Sequence, residues 1–214
     1  HSPTSLRLKP FLAFRNVHDL TRANLAADIF HSKVEKGVGY CLYGGFPRLY
    51  MQLNVLNEFV SFPDWYKNIE YLQEKIRGYD YREDLFVPGY FECPIRKGQS
   101  IVFSASLTQA NPSRLKCLFD KEISNRPSRD SYRNCLKLSA SQFLINRNGK
   151  TRVVAGYPWL GMNPRDTAIA LPGLTLSTDN GMKLFTSGLD TLAAEESTLY
   201  GSADAPLWFF WTLQ

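Results

Sequence analysis

The chain changes its hydrophobic period near residue 110, and this limits the folds open to it more than any other feature of its 214 residues. Up to about Ser106 the apolar residues come in short or alternating runs, as in Leu6-Arg7-Leu8-Lys9-Pro10-Phe11-Leu12-Ala13-Phe14, Leu49-Tyr50-Met51-Gln52-Leu53 and Ser100-Ile101-Val102-Phe103-Ser104. A strand shows successive side chains to opposite faces, so such runs predict half-buried strands. Gly44-Gly45, Pro63-Asp64, Pro88-Gly89 and Lys97-Gly98 supply turn residues at the spacing of an antiparallel sandwich. The stretch Trp65–Arg77 reads both ways, because Ile69, Leu72 and Ile76 also fit one helix face.

From Asn111 the period is helical. Pro112 suits a first helical position, and Leu115, Leu118, Phe119 and Ile123 are spaced for one buried face. Asp130 or Ser131 then caps a second helix with Leu136, Ala140, Phe143 and Leu144 turned inward, and Asn148-Gly149 turns a short hairpin before Val153-Val154-Ala155. Further helical stretches follow at about 165–176, 181–195 and 203–214. The expected organisation is a β-sandwich domain over 1–110, a helical linker over 111–130 and a helical region over 131–214. The chain reaches Gln214 inside an apolar helical run with no stop signal, so that region is expected to be incomplete.

Composition narrows the partners. The net charge is +5, but Lys and Arg are scattered among Asp and Glu without a basic run, so the excess is read as solubility and no nucleic-acid partner is expected. There is no apolar run of ~18 residues, and the start His-Ser-Pro-Thr-Ser lacks the basic and apolar regions of a signal peptide, so no membrane association is expected. Cys41, Cys93, Cys117 and Cys135 form no CxxC pair, which points to reduced thiols and a cytoplasmic location rather than a zinc or redox site. His1, His18 and His31 have no ligand spacing, and Ser104 and Ser106 lie in no Gly-x-Ser-x-Gly elbow. Neither a metal nor a cofactor is expected.

Three stretches carry the chemistry. The first runs from Pro63-Asp64-Trp65-Tyr66 through Arg77-Gly78-Tyr79-Asp80-Tyr81-Arg82-Glu83-Asp84-Leu85-Phe86-Val87-Pro88-Gly89-Tyr90-Phe91. The second is Gly156-Tyr157-Pro158-Trp159 with Arg165-Asp166-Thr167, and the third is Ser202-Ala203-Asp204-Ala205-Pro206-Leu207-Trp208-Phe209. An Arg-Asp pair at a helix start beside aromatics suits a sugar, since the carboxylate accepts from vicinal hydroxyls while the guanidinium donates a rigid fork. An ion pair holding a loop to a helix accounts for the same residues. The cluster Asp80–Asp84 reads as a solvated or interdomain turn.

The first stretch resembles the N-terminal sandwich domain of prokaryotic glycogen-debranching enzymes of the amylo-α-1,6-glucosidase type. The other two resemble the opening helices of their glucoamylase-like (α/α)6 catalytic barrel. The resemblance favours strand for Trp65–Arg77 and implies hydrolysis of α-1,6 branch points in glycogen or a branched oligosaccharide, without a cofactor. It implies that Arg165 and Asp166 bind the glucose at the cleavage subsite and that Tyr157 and Trp159 line it. Asp204 and Trp208 match the next motif near the cleft, although a capping Asp and a core Trp explain them equally. The pattern usually has Trp-Gly before Arg-Asp, where this chain has Asn163-Pro164. An inverting mechanism is implied, with carboxyls about 6.5–9.5 Å apart. Both are expected after Gln214, because Glu195 and Glu196 match no catalytic motif and belong on a solvated helix end. The loop between Glu196 and Tyr200 is shorter than the pattern. A glucoamylase-like α-1,4-glucan hydrolase and a non-catalytic glucan-binding module are the alternatives.

Overall fold

A computed structural model describes residues 4–156, 160–178, 180–194 and 203–214. They divide into two units, His1–Ser124 and Asn125–Gln214.

The first unit is β-rich. Strands β1 (Thr4–Leu8), β5 (Glu58–Glu70) and β6 (Arg82–Ile95) form one antiparallel sheet in the order β1-β6-β5. Strands β2 (His31–Val34), β3 (Gly37–Tyr40), β4 (Leu49–Leu53) and β7 (Phe103–Ser106) form a second. Val38, Tyr40, Met51 and Leu53 of the second sheet and Phe86, Phe91 and Cys93 of the first share one buried apolar cluster. Buried Gln52 ties β4 down, donating to the carbonyls of Glu35 and Ala110 at 2.9 and 3.0 Å and accepting from the Ala110 N–H at 2.8 Å.

Two dipeptides expected to be turns lie inside strands. The ladder between β5 and β6 shifts between Ser61↔Gly89 and Asp64↔Val87, so Phe62 and Pro63 stand against Pro88 alone. Proline has no N–H for a ladder, and a bulge is where a strand tolerates it. Gly89 at φ 142° is required beside this bulge, because a Cβ there would sit 2.1 Å from the Val60 carbonyl oxygen. Gly45 and Gly98 do take the positive φ of turn residues, at 90° and 76°.

The stretch Trp65–Arg77 corrects the strand assignment in its second half. Strand β5 ends at Glu70, and Leu72–Ile76 form a short helix, α1. Leu72 and Ile76 are exposed, so the shared face of Ile69, Leu72 and Ile76 is not a core face. The helix ends where Gly78 takes φ 80°.

Only the first part of the acidic cluster is solvated: Asp80 is exposed and precedes β6. Glu83 and Asp84 lie in β6 and are 0% and 6% exposed. A second bulge sets Lys67 and Asn68 against Asp84 alone, and Asn68 adopts φ 57°. Asp84 accepts from the Asn68 N–H at 2.8 Å and the Ala23 N–H at 2.9 Å. Glu83 accepts from both Nε and Nη2 of Arg15, from the Tyr71 hydroxyl and from the Thr21 N–H. Burial alone pushes the Glu83 carboxyl up, but these hydrogen bonds and the Arg15 charge outweigh it and hold the group below the usual carboxylate range. The N–H groups of Ala23 and Asn68 hold Asp84 low as well.

A short 3-10 turn, Pro112–Arg114, leads into α2 (Leu115–Asn125), with Asn111 capping the turn. Of the apolar face expected to be buried, Leu115 is buried, whereas Leu118, Phe119 and Ile123 are about half exposed. Periodicity reports that a helix has an apolar stripe and carries no information on what covers it.

In the second unit, α3 (Tyr132–Gln142) is capped by Ser131, whose hydroxyl accepts from the Asn134 N–H at 3.2 Å. No residue of α3 is buried and Leu136 is exposed, contrary to the inward face expected. Strands β8 (Leu144–Arg147) and β9 (Lys150–Val153) make the hairpin, turned by Asn148 and Gly149 at φ 54° and 77°. Helices α4 (Pro164–Thr175), α5 (Gly181–Ala194) and α6 (Ala205–Thr212) follow where the sequence places helical stretches. Val153, Ala168, Leu171 and Leu192 form their core, with Phe185, Trp208 and Phe209 packed against it.

Replacing Glu83 with Ala leaves the Arg15 guanidinium, 20% exposed, without its carboxylate. A loss of about 3–5 kcal/mol of unfolding free energy is expected in urea melts, the cost of breaking a buried pair from one side. Both carboxyls are held low, so their stabilisation is present above the ordinary carboxylate range and is lost as pH falls through their folded values. The melting temperature is therefore expected to drop on acidification below that range, and Glu83→Gln should flatten the drop. An acid profile identical to wild type contradicts this.

Candidate functional site

Of the sequence-derived candidates, Arg165 and Asp166 lie in the first turn of α4, Asp204 just before α6 and Trp208 in its first turn. Asn163 has an extended backbone, and its side-chain oxygen accepts from the Asp166 N–H at 3.2 Å. Pro164 then occupies the first turn, where its missing N–H costs nothing. The Asn163-Pro164 that departs from the expected Trp-Gly is thus a capping pair that starts α4 with Arg165 and Asp166 in its first turn.

Arg165 reaches across to α6. Its Nε lies 2.9 Å from Oδ2 of Asp204, the residue just before that helix, and the two side chains are 50% and 43% exposed. Asp204 makes no side-chain cap to its own helix. An ion pair this open is worth at most about 1 kcal/mol, too little to be the reason the helices pack. The packing has other sources. Thr212 donates to the Ala168 carbonyl at 2.7 Å, and Ala168 and Leu171 of α4 share a core with Trp208 and Phe209 of α6.

Asp166 is exposed, and among the described residues its carboxylate has no hydrogen-bond or ion-pair partner. A carboxylate in a helix's first turn is favoured by the helix dipole and keeps both oxygens available as acceptors. Arg165 and Asp166, consecutive in the first turn of α4, and Asp204 before α6 thus supply carboxylate acceptors and a guanidinium, groups that can pair with vicinal sugar hydroxyls.

Trp208 is placed differently. It is half-buried against the helical core and meets Trp211 edge-on at 5.7 Å. Tyr157 and Trp159, the aromatic lining implied by the resemblance, lie outside the described residues, as do Glu195 and Glu196.

Beside the start of α4 is a pocket of ≈ 120 Å³ lined by Arg152, Met162, Pro164, Thr167 and Thr191, among others. Ligand pockets run to about 300–1,000 Å³, so a sugar ring is better served by the open corner than by this recess. Sequence reasoning did not single out Arg152 or Thr167. Arg152 enters through the register of the β8–β9 hairpin, which no local motif announces. Thr167 was legible only as the residue after Arg-Asp.

Residues 1–102 match the family model described as Glycogen debranching enzyme N terminal. Residues 138–214 match the model described as Amylo-alpha-1,6-glucosidase. No curated protein and no solved structure matches the chain. The first match covers the strands of the β-rich unit up to the start of β7, and the second covers the hairpin, the three helices and the Arg165–Asp204 corner. With a debranching-enzyme match in each of its two units, the chain belongs to the glycogen-debranching enzyme family and is part of such an enzyme.

Proposed function

We propose that this chain serves a prokaryotic debranching enzyme by holding the α-1,6-linked glucose of glycogen or a limit dextrin while water displaces it with inversion. The observation that carries this reading is the exposed Asp166 carboxylate beside the Arg165–Asp204 pair at the start of two packed helices. Arg165 donates to sugar hydroxyls and Asp166 accepts from them. Asp204 aims the guanidinium, and Tyr157 and Trp159 supply the apolar wall. Trp208 supports α6 from the core side, and its indole borders the same cleft. In this reading the β-rich unit is a sandwich domain over 1–110, residues 111–130 are a linker, and α3 to α6 open an (α/α)6 barrel.

The general acid and base are assigned to residues after Gln214. Asp204 is engaged by Arg165, and Asp166 serves the sugar hydroxyls rather than the scissile bond. The four cysteines are free thiols, and among the described residues no helix is long and apolar enough to cross a membrane. The glycogen-debranching family is what supports a cytoplasmic setting.

Asp166→Asn in the enzyme containing this chain keeps the shape and removes the charge. A charged hydrogen bond contributes about 1.5–3 kcal/mol. A fall in kcat/KM on a branched limit dextrin of roughly tenfold to a hundredfold is therefore expected, at about 1.4 kcal/mol per tenfold. The melting temperature should stay near wild type, because the side chain is exposed. A marked fall in melting temperature with kcat/KM per folded molecule intact would make Asp166 structural and refute the assignment.

The purified 214-residue chain is expected to release no glucose from a limit dextrin above a buffer control. Both carboxyl groups are needed to flank the scissile bond. Glucose release that scales with the amount of chain would place the acid and base within these residues.

A further inference from the structure

The first unit carries an open groove of ≈ 670 Å³ that the corner at α4 and α6 does not use. One wall is the loop of residues 23–30 and the other is Asp64–Lys67 of β5. Its volume falls within the range of ligand sites.

The walls are fixed before any ligand arrives. The Ala23 N–H is held by Asp84 at 2.9 Å, the Asp28 N–H by the Leu42 carbonyl at 2.8 Å, and the Asn24 amide donates to the Tyr43 hydroxyl at 2.9 Å. On the other side the bulge opposite Asp84 re-aims Lys67. Binding to such a frame forfeits little ordering entropy.

The lining pairs apolar rings with acceptors. Trp65 is half-buried, with its ring edge-on to Phe86 at 5.4 Å, and Phe30 is 78% exposed. Asp28 uses one carboxylate oxygen on the Phe30 N–H at 2.9 Å, and Asp64 uses one on the Trp65 N–H at 2.7 Å. Each keeps a second oxygen for a ligand, and Lys67 adds a donor. A purely apolar peptide would desolvate these carboxylates without pairing them, and a polyphosphate would meet two like charges. A polyol with apolar ring faces satisfies both parts of the lining, stacking its faces on the aromatics while its hydroxyls donate to the carboxylates.

We propose that this groove binds a linear α-1,4-glucan segment, with Phe30 and Trp65 as platforms and Asp28, Asp64 and Lys67 as the hydrogen-bonding rim. The choice of glucan among polyols rests on the debranching reading above.

The test titrates the 214-residue chain with maltoheptaose, followed by tryptophan fluorescence and, independently, by retardation in glycogen-containing native gels. Phe30→Ala and Asp64→Asn change exposed side chains, and near-wild-type melting temperatures verify that both variants fold. Each is expected to weaken maltoheptaose binding by about tenfold, which is about 1.4 kcal/mol, and to reduce gel retardation. Wild-type affinity in both folded variants, or no binding by the wild type, overturns the proposal. Loss of self-association in Phe30→Ala with unchanged maltoheptaose affinity assigns the face to a second copy and also overturns it. Failure of the debranching reading looks different: the variants would still weaken maltoheptaose binding, while the enzyme containing this chain would leave limit dextrin uncleaved.

Discussion

The β-rich unit depends on a carboxylate taken out of water and closed on an arginine. Glu83 is fully buried, and its cost is offset only because Arg15, Tyr71 and the Thr21 N–H all donate to it. Asp84, its neighbour, takes the N–H groups of Ala23 and of the bulged Asn68. Two adjacent residues of β6 thus pin residues 15–23 on one side and the β5 bulge on the other. The groove's walls, residues 23–30 and Asp64–Lys67, meet these anchors at Ala23 and Lys67, so Asp84 helps to set its shape.

The second unit solves a different problem with weaker forces. Its helices are held by apolar burial around Leu171 and by the Thr212 bridge to Ala168, so the side chains of Arg165, Asp166 and Asp204 carry little of the packing. Arg165, Asp166 and Asp204 stay exposed there. Charged residues that contribute little to stability can be placed for a ligand's hydroxyls, and a rigid helix start keeps them in place.

The sequence made the change of period, strand β4, parts of β1 and β7, the Asn148-Gly149 hairpin and the helices α4 to α6 legible, because each is written in local residues. The bulges were not legible. Pro63-Asp64 and Pro88-Gly89 have turn chemistry, and only the pairing of β5 with β6 turns two prolines into one bulge. Glu83 and Asp84 misled for a related reason: a run of charges looks solvated until partners 62 and 61 residues away, Thr21 and Ala23, are brought to it. At the site, Arg165, Asp166 and Asp204 became candidates through the resemblance, and the Arg165–Asp204 ion pair needed the helix packing to be seen. Asn163 looked like a defect in the pattern and is a cap. The apolar faces of α2 and α3 were read correctly as stripes and, apart from Leu115, wrongly as buried ones.

The corner at α4 and α6 is proposed to meet a branched glucan. Amide hydrogen–deuterium exchange of the chain with and without a branched limit dextrin tests it most directly. Slower exchange is expected at residues 163–168 and 203–206 when the dextrin is present, with α5 unchanged. Identical exchange at these positions, at dextrin concentrations that demonstrably bind the chain, would contradict it.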